Sequence, residues 1–295
     1  MRQVWLAVLA TGAGLLLALA AADGGQRLPG GLPLVLALVV VAYALNWVVY
    51  VPSFLRRTER FFDLTGSLTF GLVTVLALVL TDERDARTWV LAGMVLVWAA
   101  RLGAFLFRRI TRAGTDGRFD ELKKSWSGFL MAWTVQALWV TFTAGAALAA
   151  ITSGDRAPLG VLACAGVVVW VVGLAVEALA DAQKAAFRAD PRHEGEFVRG
   201  GLWSWSRHPN YVGEVLVWTG VALVAAGPLV GWQHVTLLSP VLVYLLLRLG
   251  SGVPALERRA DERWGGLDDY EAWKARTPVF FPVRSGRAAR EEHRR

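Results

Sequence analysis

Long apolar runs alternate with short polar gaps along the whole chain, and this pattern limits the fold more than any other feature. A helix needs about 20 mostly apolar residues to cross the hydrocarbon core of a bilayer. Eight runs approach that length: Val4–Ala22, Leu32–Tyr50, Leu64–Leu80, Trp89–Phe107, Phe129–Ile151, Leu159–Leu179, Val212–Gly227 and His234–Leu249. The seventh is short and holds Gly and Trp, and the third begins just after Asp63. The predicted fold is all-α, a polytopic transmembrane helical bundle of about eight spans. Apolar residues make up 55% of the chain, more than the usual share in soluble domains.

The gaps sort by charge. Arg56, Arg57 and Arg60 follow the second run; Arg108, Arg109, Arg112, Arg118, Lys123 and Lys124 follow the fourth. Lys184, Arg188, Arg192, Arg199 and Arg207 follow the sixth, and a basic tail follows the eighth. The other gaps hold an arginine or two beside acids, or no charge. Lys and Arg collect on the cytoplasmic side, so both termini are expected there, in a multi-pass integral membrane protein. The net charge of +7 is thereby assigned to the membrane surface, with lipids as neighbours and no nucleic acid. The alternative for the first run is a cleaved signal peptide, since small residues close it.

No linker or repeat divides the chain, so residues 1–284 are expected to form one domain and residues 285–295 a charged, mobile tail. Cys164 is the single cysteine, and the four histidines lack any zinc spacing, so no metal site is expected. The fourteen tryptophans suit interfacial belts, with some lining a cavity.

Ionisable groups at membrane depth are costly and mark function by default. Three segments concentrate them on the expected cytoplasmic side. Arg101 lies well inside the fourth run, with Arg108 and Arg109 at its end. Arg109 and Arg112 read most simply as arginines that snorkel to lipid phosphate, whereas Arg101 is too deep for that and calls for an anion. In the segment EALADAQK, Glu177 and Asp181 are four apart and share a helix face. They suit either ribose hydroxyls or an internal ion-pair network. In SRHPNYVGE, Ser206 can cap a helix and Pro209 suits its first turn. That leaves free N–H groups beside Arg207 and His208, an arrangement that attracts phosphate. A cap alone does not explain Asn210, Tyr211 and Glu214. Past the eighth run, residues 255–274 read as an amphipathic interfacial helix or helix pair anchored by Trp264, Leu267, Tyr270 and Trp273.

Together, GEFVRGGLWSWSRHPNYVGE, ADAQK and SGVPALE…DDYEAW…TP resemble the steroid 5-alpha-reductase-like membrane reductases, particularly their bacterial branch, over residues 63–282. The resemblance implies NADPH bound in a cavity open to the cytosol, and hydride transfer to an enone-type double bond of a lipidic or steroid-like substrate. It implies Asn210, Glu214, Asp181 and Tyr270 as cofactor-binding residues, with Arg108 or Arg109 on phosphate. Arg101, Glu177, Arg207, His208 and Tyr211 complete the expected cofactor set. The chain departs from the family where Trp98 replaces a proton-donating Tyr. Trp98 is then a substrate-pocket residue, and Asp63, Tyr50 and Tyr43 are the candidates to replace the donor, with Asp63 and Tyr50 as the catalytic pair.

Two rivals remain. An isoprenylcysteine-methyltransferase-like enzyme using S-adenosylmethionine also carries an Arg-His-Pro-x-Tyr-x-Gly element. A non-catalytic membrane protein could keep the same site as a relic.

Overall fold

The computed structural model describes residues 1–250 and 252–281. Ser251, Pro282 and the expected tail at 285–295 lie outside the described residues. Within them the protein is all-helical: no strand forms, and two isolated bridges, Gly25 to Ser153 and Arg27 to Pro33, are the extended pairings recorded.

Six of the expected spans become long helices: α1 (Arg2–Ala21), α2 (Leu34–Leu55), α3 (Phe62–Leu80), α4 (Ala86–Ala113), α5 (Trp126–Ile151) and α6 (Val161–Ala189). Their starts follow local chemistry. The Asp85 carboxylate accepts from the Thr88 amide at the head of α4, and the Ser125 hydroxyl does the same for Gly128 at the head of α5, each satisfying an orphan N–H. Gly114, at φ +76, ends α4 in a conformation that other residues rarely adopt. With 28 and 29 residues, α4 and α6 run to about 42–44 Å at 1.5 Å per residue. Both outlast a hydrocarbon core of about 30 Å, so a turn or two of each extends into the polar region.

The seventh and eighth spans differ from expectation. Helix α7 (Pro209–Ala225) has 17 residues, because Pro209 opens it and Gly227-Pro228 stops it. The eighth run starts as a 3₁₀ helix (Gly231–Leu238) and becomes α8 (Ser239–Leu249) only at Ser239, where Pro240 fits the first turn. Helices α9 (Val253–Trp264) and α10 (Asp268–Arg276) follow. Among the described residues, seven helical stretches are long and apolar enough to cross a membrane, Gly231–Trp264 counting as one and α7 falling short.

The described residues form two compact units, residues 1–168 with 218–242, and residues 169–217 with the described part of the chain from 243 to 281. The boundaries fall inside α6, α7 and α8 rather than in linkers, which is why the sequence shows none.

In the first unit α5 is the central helix; every residue from Thr143 to Ile151 is buried. Asn46 of α2 joins it to α3. Its amide donates to the Thr69 hydroxyl (3.2 Å) and accepts from Gln136 Nε2 of α5 (2.9 Å). Gln136 also donates to the Phe62 carbonyl at 3.0 Å. With Asn46 and Thr69 fully buried, this closed network ties three helices where an unmet polar group would be costly. At the opposite end from the α4–α5 loop, buried Arg87 donates to the carbonyls of Val224, Pro158 (2.6 Å) and Ala157 (3.3 Å).

Candidate functional site

The second unit is built on a contact with almost no side chain in it. A Cβ placed on Gly173 of α6 would meet the Val217 nitrogen at 2.6 Å, and one on Gly213 of α7 would meet the Glu177 nitrogen at 2.5 Å. The two helices therefore touch backbone to backbone. Gly213 lies between Asn210 and Glu214 in sequence, so the contact brings the Asn-Tyr-x-Gly-Glu stretch against the α6 turn that carries Glu177 and Asp181. Both α6 carboxylates are buried, at 3% and 6% exposure, while Asn210, Tyr211 and Glu214 are half-buried. Within this unit, the Glu177 backbone therefore packs against Gly213, between Asn210 and Glu214.

Glu257 of α9 organises the start of α7. Its carboxylate takes Arg207 on one oxygen and His208 Nε2, at 2.8 Å, on the other. The Ser206 hydroxyl accepts from the His208 amide (3.2 Å) and donates to the Val279 carbonyl (3.3 Å), and the Arg207 amide donates to Pro278 (2.9 Å). His208 stacks on Tyr211 at 5.5 Å between ring centres. Burial pushes the His208 imidazole below its ordinary value, against the opposing pull of Glu257. Arg207 and His208, expected to meet phosphate, are held here by Glu257. The sequence did show Glu257, just past the eighth run, but nothing in one chain's spacing pairs residues 49 apart.

Tyr270 is 1% exposed and its hydroxyl donates to Asp261 at 2.8 Å; Lys274 meets the same carboxylate. Burial, then the Asp261 bond, raises the Tyr270 phenol above its usual range. Phe197, Trp264 and Trp273 surround the ring. Trp203 donates its indole N–H to the Ala180 carbonyl (3.1 Å), and the Lys184 ammonium sits 4.5 Å over the Trp203 ring. The expected anchors Trp273 and Tyr270 are thus core residues, while Leu267 is exposed.

A cleft of about 470 Å³ opens on the same unit, between the last turns of α6 and the Gly-Gly turn. Gln183, Ala186, Phe187, Asp190, His193 and Gly200 are among its walls.

In the first unit, Asp63 and Arg109 join Asp116 and Arg118 in an ionic cluster. Asp63 accepts from Arg109 at 3.1 Å and lies 3.6 Å from Arg118; Asp116 pairs with Arg118 at 2.7 Å. Buried Glu59 takes the Asp116 amide (2.8 Å) and Lys123 (3.0 Å), fastening the α4–α5 loop to the α2–α3 corner. Burial alone would raise the Asp116 carboxyl, but Arg118 and Arg109 outweigh it and hold it below the usual range. Arg108 is exposed and Arg101 half-buried. The Tyr50 hydroxyl donates to the Trp126 carbonyl (3.0 Å), and that of Tyr43 to Ala10 (2.9 Å). Trp98 is 1% exposed and packs edge-on to Phe70 and Trp218, at 5.0 and 4.7 Å between centres. It is a core residue of an aromatic trio. Asp63 and Tyr50 therefore each have a structural partner, and neither geometry singles out a proton donor. Among the described residues, no group of three or more His, Cys, Asp or Glu could hold a metal ion.

A family model described as "Protein of unknown function (DUF1295)" matches residues 49–277, most of the chain. The protein belongs to the DUF1295 family. The matched segment of this DUF1295 protein begins just before Tyr50 and contains every site residue named above except Tyr43. A curated relative described as "Probable O-methyltransferase ustE", from Ustilaginoidea virens, is 29% identical over 98 residues. That match spans 33% of this chain and 32% of the relative, so the DUF1295 protein aligns with about a third of that protein's length. No solved structure matches the chain.

Proposed function

We propose that this protein is an integral-membrane, NADPH-dependent reductase acting on an electron-poor, enone-type double bond of a lipidic molecule, with its cofactor site facing the cytoplasm. The observation that carries this reading is the glycine contact between α6 and α7. It sets the turn of α6 that begins with buried Glu177, one turn before buried Asp181, against Gly213, which lies between Asn210 and Glu214. The association of the DUF1295 family with steroid 5-alpha-reductase-like proteins supports it.

The residue chemistry fits such a cofactor. Buried carboxylates are good acceptors for ribose hydroxyls, and a half-buried amide at Asn210 can both donate to and accept from a carboxamide. Asp181, Glu177, Asn210 and Glu214 would hold those parts of the molecule. Lys184, one turn beyond Asp181, supplies positive charge along the same helix. NADPH, when bound, supplies the hydride. Glu257 fixes the rotamers of Arg207 and His208 at the head of α7, and the amides of Tyr211 and Val212 donate back to the His208 carbonyl, so that helix start is a rigid turn. The aromatic packing around Tyr270 closes the unit against water.

A second reading, an S-adenosylmethionine-dependent methyltransferase, draws on the printed name of the Ustilaginoidea virens relative. Thermal unfolding of the detergent-purified protein with NADPH, NADH and S-adenosylmethionine separates the two. A ligand at 100 times its Kd adds about 2.7 kcal/mol of stability. A shift with NADPH in preference to S-adenosylmethionine is the expected result. The reverse preference replaces the reductase with the methyltransferase, and a shift with none of them leaves a non-catalytic protein.

A further inference from the structure

We propose that the cleft at the end of α6 receives the adenine base of a nucleotide-containing ligand; expecting a nucleotide at all rests on the functional reading above. Both NADPH and S-adenosylmethionine carry an adenosine, so the assignment is common to the two readings.

The cleft has the walls that a flat, polar-edged ring requires. Gln183, Ala186 and Phe187 recur at helical spacing on the last turns of α6, and Asp190 adds a carboxylate just past the end of that helix. Phe187 and His193 stack at 4.2 Å and 11° between planes, giving a rigid aromatic wall. Ala186 and Gly200 leave the opposite sides thin. A Cβ on Gly200 would meet nothing within 4 Å, so that backbone faces open space. The Gln183 side chain is fixed by accepting from the Leu202 amide at 2.9 Å. Asp190 is held by Arg192 through bonds of 2.6–3.0 Å, and its carboxylate can accept further bonds at the rim, as an exocyclic amine would need.

Distance and charge along α6 agree. Phe187 lies six residues beyond Asp181, about 9 Å along a helix axis. Lys184 and Arg188 lie between and beside them on the same helix. Ribose acceptors, cations and an aromatic wall therefore follow one another from the buried part of α6 to its water-exposed end. That order places the adenine end of a dinucleotide outermost, against the aromatic wall.

The backbone at Gly200 is extended, at φ −100 and ψ 167, so a larger residue fits there without strain. Gly200→Leu fills the cleft from one side, and Ala186→Trp from the other. The test is photolabelling of the full-length protein in detergent with 8-azido-AMP, followed by peptide mapping, with excess AMP or CMP as competitor. The expected result is label within residues 183–201, displaced by AMP and not by CMP, and reduced at least tenfold in both variants while their unfolding temperatures stay within a few degrees of the parent. Label elsewhere, label unaffected by both variants, or no protection by AMP overturns the assignment. If one variant does not fold, the other carries the comparison. A parent protein that shifts with NADPH yet labels elsewhere loses the adenine cleft and keeps the reductase reading. One that labels at 183–201 yet shifts with neither NADPH nor S-adenosylmethionine does the opposite.

Discussion

Gly213 lies so close to Glu177 that a Cβ there would come within 2.5 Å of the Glu177 nitrogen and 2.7 Å of its Cβ. Neither contact involves the far end of a flexible side chain, so a methyl group must push α6 and α7 apart. Gly213→Ala is therefore expected to destabilise the protein by about 1–3 kcal/mol, the usual cost of overpacking. It should also weaken NADPH binding, since the acids and the Asn210–Glu214 turn separate together. Gly93→Ala is the control: nothing lies within 4 Å of a Cβ there, and replacing a helical Gly by Ala should change stability by ~1 kcal/mol or less. Equal unfolding temperatures for the two variants would remove the contact from the argument.

Arg87 supports a second prediction. Its guanidinium is buried and donates to three backbone carbonyls near the end of α7 and in the loop before α6. Leaving a buried acceptor unmet costs about 1–3 kcal/mol, so Arg87→Leu should lose several kcal/mol or fail to give monodisperse protein in detergent. Arg87→Lys, with one ammonium in place of a fork of donors, should recover part of that loss. Gel filtration and thermal unfolding of both variants check this, and a stable Arg87→Leu protein would show that the carbonyls find other partners.

Much of the fold was legible because hydropathy and helix length obey one rule. The first six spans follow the apolar runs to within a few residues, apart from the polar extensions of α4 and α6. The last two did not, since proline and glycine near residues 209, 227 and 240 shorten the helices and start one as a 3₁₀ turn, which hydropathy does not register. The arginines of the less basic gaps show another limit. Arg27, Arg84 and Arg156 each donate to a backbone carbonyl, of Gly31, Val79 and Glu83 respectively, so their charge fastens loops and helix ends. At the site, spacing within a helix was readable: Glu177 with Asp181, and Asn210 with Glu214. Partners across helices were not. Glu257 and Asp261 hold His208 and Tyr270 from a different helix, and Asn46 with Gln136 are 90 positions apart.

The buried His208 makes stability depend on pH in a stated direction. Its folded value lies below the ordinary 6.5. Just below pH 6.5 the unfolded chain therefore binds more protons than the folded one, and stability falls as pH falls through that window. Above it the contribution is constant. Unfolding temperature measured from pH 8 to pH 5 should drop in the acid half, and His208→Gln should flatten that part of the profile. A variant with the parent's slope would assign the pH dependence to other groups.

The cofactor reading is tested most directly at the residues that flank Gly213. Glu214→Gln removes a charge and keeps the shape, and Asn210→Ala removes an amide that is half-buried at the first turn of α7. Neither side chain fills the core, so both proteins should unfold within a few degrees of the parent. Each should lose most of the NADPH-induced shift, because a site built to bond a ligand's polar groups is weakened strongly when one partner is missing. Tyr270→Phe provides the contrast. Its hydroxyl is donated to Asp261, next to Lys274, so its loss should cost about 1 kcal/mol of stability while leaving most of the NADPH shift. If Tyr270 contacts the cofactor, as the family resemblance implies, its variant will instead behave like Glu214→Gln. If Glu214→Gln and Asn210→Ala both respond to NADPH as the parent does, the α6–α7 contact is a structural joint and the nucleotide must be sought elsewhere.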